Sequence, residues 1–212
     1  MIRIALTKGR LETEAVALFK GLGYDVSALE NKGRKLILPM GEEIEVVLAK
    51  APDVITYVAR GVCDLGIVGK DTIMESTGTF YEMVDLGFGE CRFALAKQAG
   101  QDFYSGYQNK RIASKYPKIA AEFFQKKGMD VEIIKIEGSV ELAPLLGMVD
   151  GIVDLVETGT TLKENGLVVE EFITTISARL IVNTASMKLK KAEIEGLVDK
   201  IEQVVQVKEA GL

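Results

Sequence analysis

The residues best suited to chemistry lie in Asp154-Leu-Val-Glu-Thr-Gly-Thr-Thr-Leu162, directly after the apolar run Gly151-Ile-Val. Gly159 permits a tight turn, and the loop amides together with the hydroxyls of Thr158, Thr160 and Thr161 are suited to surround a phosphate. Asp154 and Glu157 stand beside them, where a bare phosphate would be repelled. Carboxylates fit there if the ligand is a sugar phosphate whose ribose hydroxyls donate to them. Thr161-Leu-Lys-Glu164 fits a capping box and predicts a helix start. The plain alternative is a strand, a turn and a helix capped by threonine. Acid, acid and then Thr-Gly-Thr-Thr in one segment favours the ligand reading.

Other chemistry is excluded by composition. The 212-residue chain contains no histidine, so an imidazole base, a Ser–His or Cys–His nucleophile and a histidine metal site are ruled out. Cys63 and Cys91, the only cysteines, are expected to be packing residues. The formal net charge of −5 with no compensating basic stripe argues against nucleic-acid binding. A polyanionic substrate would need a local cationic pocket helped by a divalent metal. No apolar run reaches the roughly 18–20 residues that span a bilayer. The opening Met1-Ile-Arg-Ile-Ala-Leu reads as a strand rather than a leader, so a cytoplasmic location with no membrane partner is expected.

Elements that would carry these residues alternate along the chain. Strands are predicted at Ile2–Leu6, Ile44–Leu48, Asp64–Gly69, Arg111–Ser114, Val131–Ile136 and Gly151–Val156. Helices are predicted from Leu11 to Leu22, from Pro52, from Pro117 to Gly128, and over Val140–Val149. Gly100–Lys110 is polar and weakly periodic. This β–α alternation predicts an α/β fold of mainly parallel sheet flanked by helices. Cys91–Ala96 and Arg179–Asn183 read as strand-like crossings of a hinge. Two lobes follow, residues 1–96 with 180–212 and residues 97–179, with a cleft between them; a single wide sheet is the alternative. The final helix carries Ile194, Leu197, Val198, Ile201, Val204 and Val205 as an apolar stripe that must pack inside the subunit or against another.

The loop at Asp154 resembles the donor loop of phosphoribosyltransferases, which hold 5-phosphoribosyl 1-pyrophosphate (PRPP). Gly138-Ser-Val-Glu-Leu-Ala-Pro144, Ser177-Ala-Arg-Leu-Ile-Val-Asn183, Leu6-Thr-Lys-Gly-Arg10, Arg34-Lys-Leu, Tyr57-Val-Ala-Arg-Gly61 and Asp64-Leu-Gly-Ile-Val-Gly-Lys-Asp71 narrow the match. Together they resemble the short form of the ATP phosphoribosyltransferase family, from end to end. The resemblance implies a type II periplasmic-binding-protein-like fold. It also implies a separate histidyl-tRNA-synthetase-like regulatory subunit in a hetero-oligomer, a homodimer within it, and histidine feedback residing in that partner.

The same resemblance implies that Arg34, Lys50 and Lys8 act on the pyrophosphate leaving group. Lysine stands at position 50 where the family often has arginine, keeping the charge but losing the planar fork. Gly9, Arg10, Asp64, Glu141 and Tyr116 are expected near ATP, with Tyr116 in the loop Ser114-Lys-Tyr116. The implied reaction joins N1 of adenine in ATP to C1 of PRPP, the first step of histidine biosynthesis. Mg²⁺ would arrive on a substrate rather than in a protein cage. The runners-up are transfer to another base, and a two-lobed domain that only binds a small ligand.

Overall fold

Two units, each with its own sheet, make up the computed structural model: Met1–Gly89 joined by the chain from Ser177, and Glu90–Ile176. It describes residues 1–106 and 108–209. Tyr107, within the expected irregular stretch, and residues 210–212, at the end of the expected first lobe, lie outside the described residues.

The elements of the first unit are β1 (Ile2–Thr7), α1 (Arg10–Gly21), α2 (Ser27–Glu30), β2 (Ile37–Met40), β3 (Ile44–Ala49), α3 (Ala51–Ala59), β4 (Leu65–Gly69), α4 (Lys70–Glu75) and β5 (Tyr81–Asp85). The second unit holds β6 (Cys91–Gln98), β7 (Lys110–Ser114), α5 (Pro117–Lys126), β8 (Val131–Lys135), α6 (Leu142–Leu145), β9 (Gly151–Val156), α7 (Thr160–Glu164) and β10 (Leu167–Ile176). The returning chain adds β11 (Ala178–Val182), α8 (Ser186–Leu189) and α9 (Lys191–Glu209) to the first.

The first sheet runs β2-β3-β1-β4-β11-β5. Its centre is parallel, with Ile2 to Thr7 facing Ile44 to Ala49 and Ile4 to Leu6 facing Leu65 to Ile67. β2, β11 and β5 join antiparallel. The second sheet runs β10-β6-β9-β7-β8, with β9, β7 and β8 parallel and β6 and β10 antiparallel. The expected α/β class with two sheets is present. The sheets are mixed rather than mainly parallel, because each parallel trio is extended by antiparallel strands.

Three expectations require correction. Cys91–Ala96 is not a crossing: β6 pairs with both β9 and β10 and lies inside the second sheet. The division therefore falls at Gly89/Glu90 and Ile176/Ser177 rather than near Lys97 and Leu180. The apolar helix expected over Val140–Val149 is only α6. Pro144 has no N–H and is tolerated only in a first turn, and Gly147 at φ 69° turns the chain away. The long strand β10 was not expected, because bulges at Val169/Glu171 and Phe172/Thr174 break its alternation.

The stripe of the last helix packs inside its own unit. Ile194, Leu197, Val198, Ile201 and Val205 are buried against Leu18, Phe19 and the β1 side chains Ile2, Ile4 and Leu6, with Val204 partly buried beside them. Burial of such side chains is worth about 1.5–3 kcal/mol each. On the other side of the sheet α3 approaches β4 closely. A Cβ on Gly66 would lie 2.8 Å from Val54 Cγ1 and 2.8 Å from Val58 Cγ2. Both neighbours are β-branched and buried, so they have little freedom to give way. Gly66→Ala is expected to lower the unfolding free energy by about 1–3 kcal/mol, read from the midpoint of a urea transition.

Candidate functional site

The chemistry-bearing residues of the second unit collect where its parallel strands end. β9 delivers Asp154 and then the loop Glu157–Gly159, and α7 follows. Gly159 takes φ 77°, a left-handed conformation that favours glycine. It starts the helix at Thr160, so the expected capping box at Thr161 does not form; the Thr161 carbonyl instead accepts from Asn165 Nδ2 at 2.8 Å. The hydroxyls of Thr158 and Thr160 lie 3.0 Å apart. Asp154, Glu157, Thr158, Thr160, Thr161 and Glu141 line a cavity of ≈ 210 Å³.

Burial pushes the Asp154 carboxyl up to about 6. The Leu155 N–H, which donates to Oδ1 at 2.8 Å, and the charge of Lys115 oppose that rise, while Glu141 adds to it. Glu141, expected near the nucleotide, thus stands with the sugar-phosphate loop. Lys115 was not singled out; its signal is position, directly after β7, the parallel neighbour of β9. Tyr116 is mostly inside: its ring meets Phe93 edge-on at 4.9 Å, and its N–H donates to Ser114 Oγ at 2.9 Å. Ser114 Oγ in turn donates to the Val153 carbonyl at 2.6 Å, tying the loop to β9.

The first unit carries cations at the corresponding strand ends. Thr7 faces Ala49 in register, and the Lys8 N–H donates to the Ala49 carbonyl at 2.9 Å, so Lys8 and Lys50 leave neighbouring strands side by side. Both side chains are exposed, as are Arg10 and Arg34. Gly9 has φ 97° with no atom near its missing Cβ, so its backbone conformation, not space, calls for glycine. Arg34 sits in the turn Lys32–Lys35, closed by a 3.0 Å hydrogen bond from the Lys35 N–H to the Lys32 carbonyl.

Asp64 does not join this group. It precedes β4 and accepts from the Arg3 N–H at 2.9 Å, Ser186 Oγ at 2.7 Å and Lys190 Nζ at 2.8 Å. That is the opposite end of β1 from Lys8. Burial opposes its ionisation, but Lys190, the Arg3 amide and Ser186 together hold its pKa below the usual value. It ties the returning chain to the start of β1. Cys63 is buried, and burial lifts its thiol to about 11, consistent with packing.

Several findings bear on what these edges do. The family model described as ATP phosphoribosyltransferase matches residues 50–203. An ATP phosphoribosyltransferase of Clostridium kluyveri is 60% identical over 209 residues, 98% of this chain and 94% of that protein. The ATP phosphoribosyl transferase (HisG:HisZ) complex of Thermotoga maritima superposes with a TM-score of 0.81 at 31% identity, covering 97% of this chain and 99% of its own. The periplasmic aliphatic sulphonate binding protein SsuA of Escherichia coli shares the fold, with a TM-score of 0.62 at 13% identity over 99% of this chain and 74% of its own.

Two outcomes follow from the carboxylates. A raised folded pKa means that ionised Asp154 destabilises the fold in full above that value, and that the cost shrinks as pH falls from there towards the unfolded pKa of about 4, below which it is absent. Asp154→Asn should therefore raise stability at pH 7.5 by on the order of 1–3 kcal/mol and lose that gain near pH 4, in paired thermal melts. Asp64 has the opposite sign, since its stabilisation is present above the unfolded pKa and lost as pH falls through the folded one. Asp64→Ala should cost about 1–3 kcal/mol at neutral pH, measured by denaturant titration.

Proposed function

The chain belongs to the ATP phosphoribosyltransferase family, and from that premise we propose that it condenses ATP with PRPP, giving N1-(5-phosphoribosyl)-ATP and pyrophosphate in the first step of histidine biosynthesis. The observation that carries the assignment of the donor is the cavity at the end of β9, where threonine hydroxyls meet the half-buried carboxylate of Asp154.

At pH above its raised value Asp154 is ionised and accepts hydrogen bonds from the ribose hydroxyls, with Glu157 beside it. The hydroxyls of Thr158, Thr160 and Thr161, and the amides around Gly159, hold the 5-phosphate. N1 of adenine then forms a bond to C1 as the bond from C1 to the pyrophosphate oxygen breaks, and the electron pair leaves with pyrophosphate. No protein nucleophile is required. The rate rests on alignment and on stabilising the leaving group.

Lys8, Lys50 and Arg34 are assigned to that developing charge, with Gly9 and Arg10 beside the ATP phosphates. Mg²⁺ carried by the substrates would share the charge of the pyrophosphate. The three carboxylates on the donor cavity, Asp154, Glu141 and Glu157, suit sugar hydroxyls, and the ion is assigned to the substrate. Glu141 is assigned to the donor cavity, and Tyr116 to the wall that supports the Ser114–Tyr116 loop. Asp64 receives no ligand role.

We place the chain in the cytoplasm, as a homodimer within a hetero-oligomer that includes a histidyl-tRNA-synthetase-like regulatory subunit. The T. maritima relative is itself named as a complex of two components. No helix among the described residues is long and apolar enough to cross a membrane.

The test is transfer from radiolabelled PRPP to ATP, adenine or no acceptor, with and without the regulatory subunit. Labelled phosphoribosyl-ATP is the expected product, and labelling of adenine but not ATP would overturn the assignment. Arg34→Ala and Lys50→Met should each lower kcat by roughly a hundredfold. Thr158→Ala should instead weaken PRPP binding, read by calorimetry.

A further inference from the structure

Two of the basic segments assigned above are held by one buried side chain. Glu12 lies in the first turn of α1 and is only 7% exposed, unusual for a carboxylate. One of its oxygens accepts from the Gly9 N–H at 3.4 Å, a long contact, and the other pairs with Lys32 Nζ. Its position also places negative charge at the N-terminus of α1, where the helix dipole favours it.

Lys32 opens the turn that displays Arg34. The Lys35 N–H closes that turn onto the Lys32 carbonyl, and Gly33 takes φ 55° at its second position, a conformation that favours glycine. Upstream, Asn31 is bound back to α2 through its Nδ2, which donates to the Ser27 carbonyl at 3.0 Å. The turn is thus pinned at its start by α2 and sideways by Glu12. Lys8, Gly9, Glu12 and Lys32 line one groove. The Gly9 turn that presents Lys8 and Arg10 and the turn that presents Arg34 therefore share a single anchor on α1.

We propose that Glu12 is a positioning residue. Through its ion pair with Lys32 it holds the Arg34 turn in register with the Lys8-Gly9-Arg10 loop, so that both present charge to the same leaving group. A carboxylate this buried is costly unless paired, and an apolar or neutral residue would serve stability as well. What the pair supplies in addition is direction: two loops far apart in sequence are tied at one point. The inference rests on the role proposed for Arg34 and Lys8, but its structural half is measurable without turnover.

Glu12→Gln keeps the shape and removes the charge. The double variant Glu12→Gln/Lys32→Met removes both charges and leaves none unpaired in the interior, whereas Lys32→Met alone strands the buried Glu12 carboxylate. Hydrogen exchange at the Gly9 and Lys35 amides reads the link directly. Both amides are expected to exchange faster in the two variants, with the amides of β1 unchanged. With the regulatory subunit present, kcat should fall at least about tenfold while KM for PRPP moves by less than about threefold. Arg34→Ala should cost less in the double variant than in the wild-type chain, because the turn is already released.

Unchanged exchange at Lys35, an unchanged kcat, or a full-sized Arg34→Ala effect in the double variant would each overturn the proposal. If the wild-type chain forms no phosphoribosyl-ATP, the functional reading fails instead, and the exchange measurement still decides whether Glu12 couples the two loops.

Discussion

Parallel pairing in register is the constraint on which the rest of this structure depends. When β1 lies parallel to β3 with Thr7 facing Ala49, the two strands end together, and the chain must leave both at the same edge. Lys8 and Lys50 become neighbours although 42 positions in the sequence separate them. The second unit repeats the device with β7 and β9, which brings the Ser114–Tyr116 loop beside Asp154. Antiparallel pairing would send successive loops to opposite edges and scatter the same residues.

The two edges differ in electrostatic character, and that difference fits the chemistry assigned to them. The second unit's edge is acidic and hydroxyl-rich. Desolvation raises the Asp154 carboxyl to about 6, so above that pH it is an ionised acceptor for sugar hydroxyls. The first unit's edge is cationic, although the whole chain carries a net −5. Net charge governs the far field, but a leaving pyrophosphate responds to the few groups within contact distance.

The lone acids show how burial and partner decide function. Asp64 and Asp154 are both aspartates at the margins of apolar strands, and both were candidates for ligand contact. Asp64 is enclosed by an amide, a hydroxyl and an ammonium, and these consume its acceptor capacity in holding α8 and α9 to the sheet. Asp154 has one amide partner in its own chain segment and a cavity in front of it. Residue type and strand position are the same in outline. The surroundings are not, and sequence does not carry them.

Local pattern determined most of the elements. Short apolar runs marked β1, β3, β4 and β9, glycine and proline marked the limits of α1, α3 and α5, and the acid and Thr-Gly-Thr-Thr run marked the loop after β9, because each is a short-range property of the chain. Where short-range order was broken, reading failed: bulges concealed β10, and Pro144 with Gly147 cut α6 short. Tertiary structure alone decided that the stripe of α9 packs inward, that β6 belongs to the second sheet, that Asp64 is an anchor, and that Glu12 reaches Lys32. Each of these depends on which segments lie together after folding, and such pairings are set by the summed burial of the whole chain rather than by any window of it.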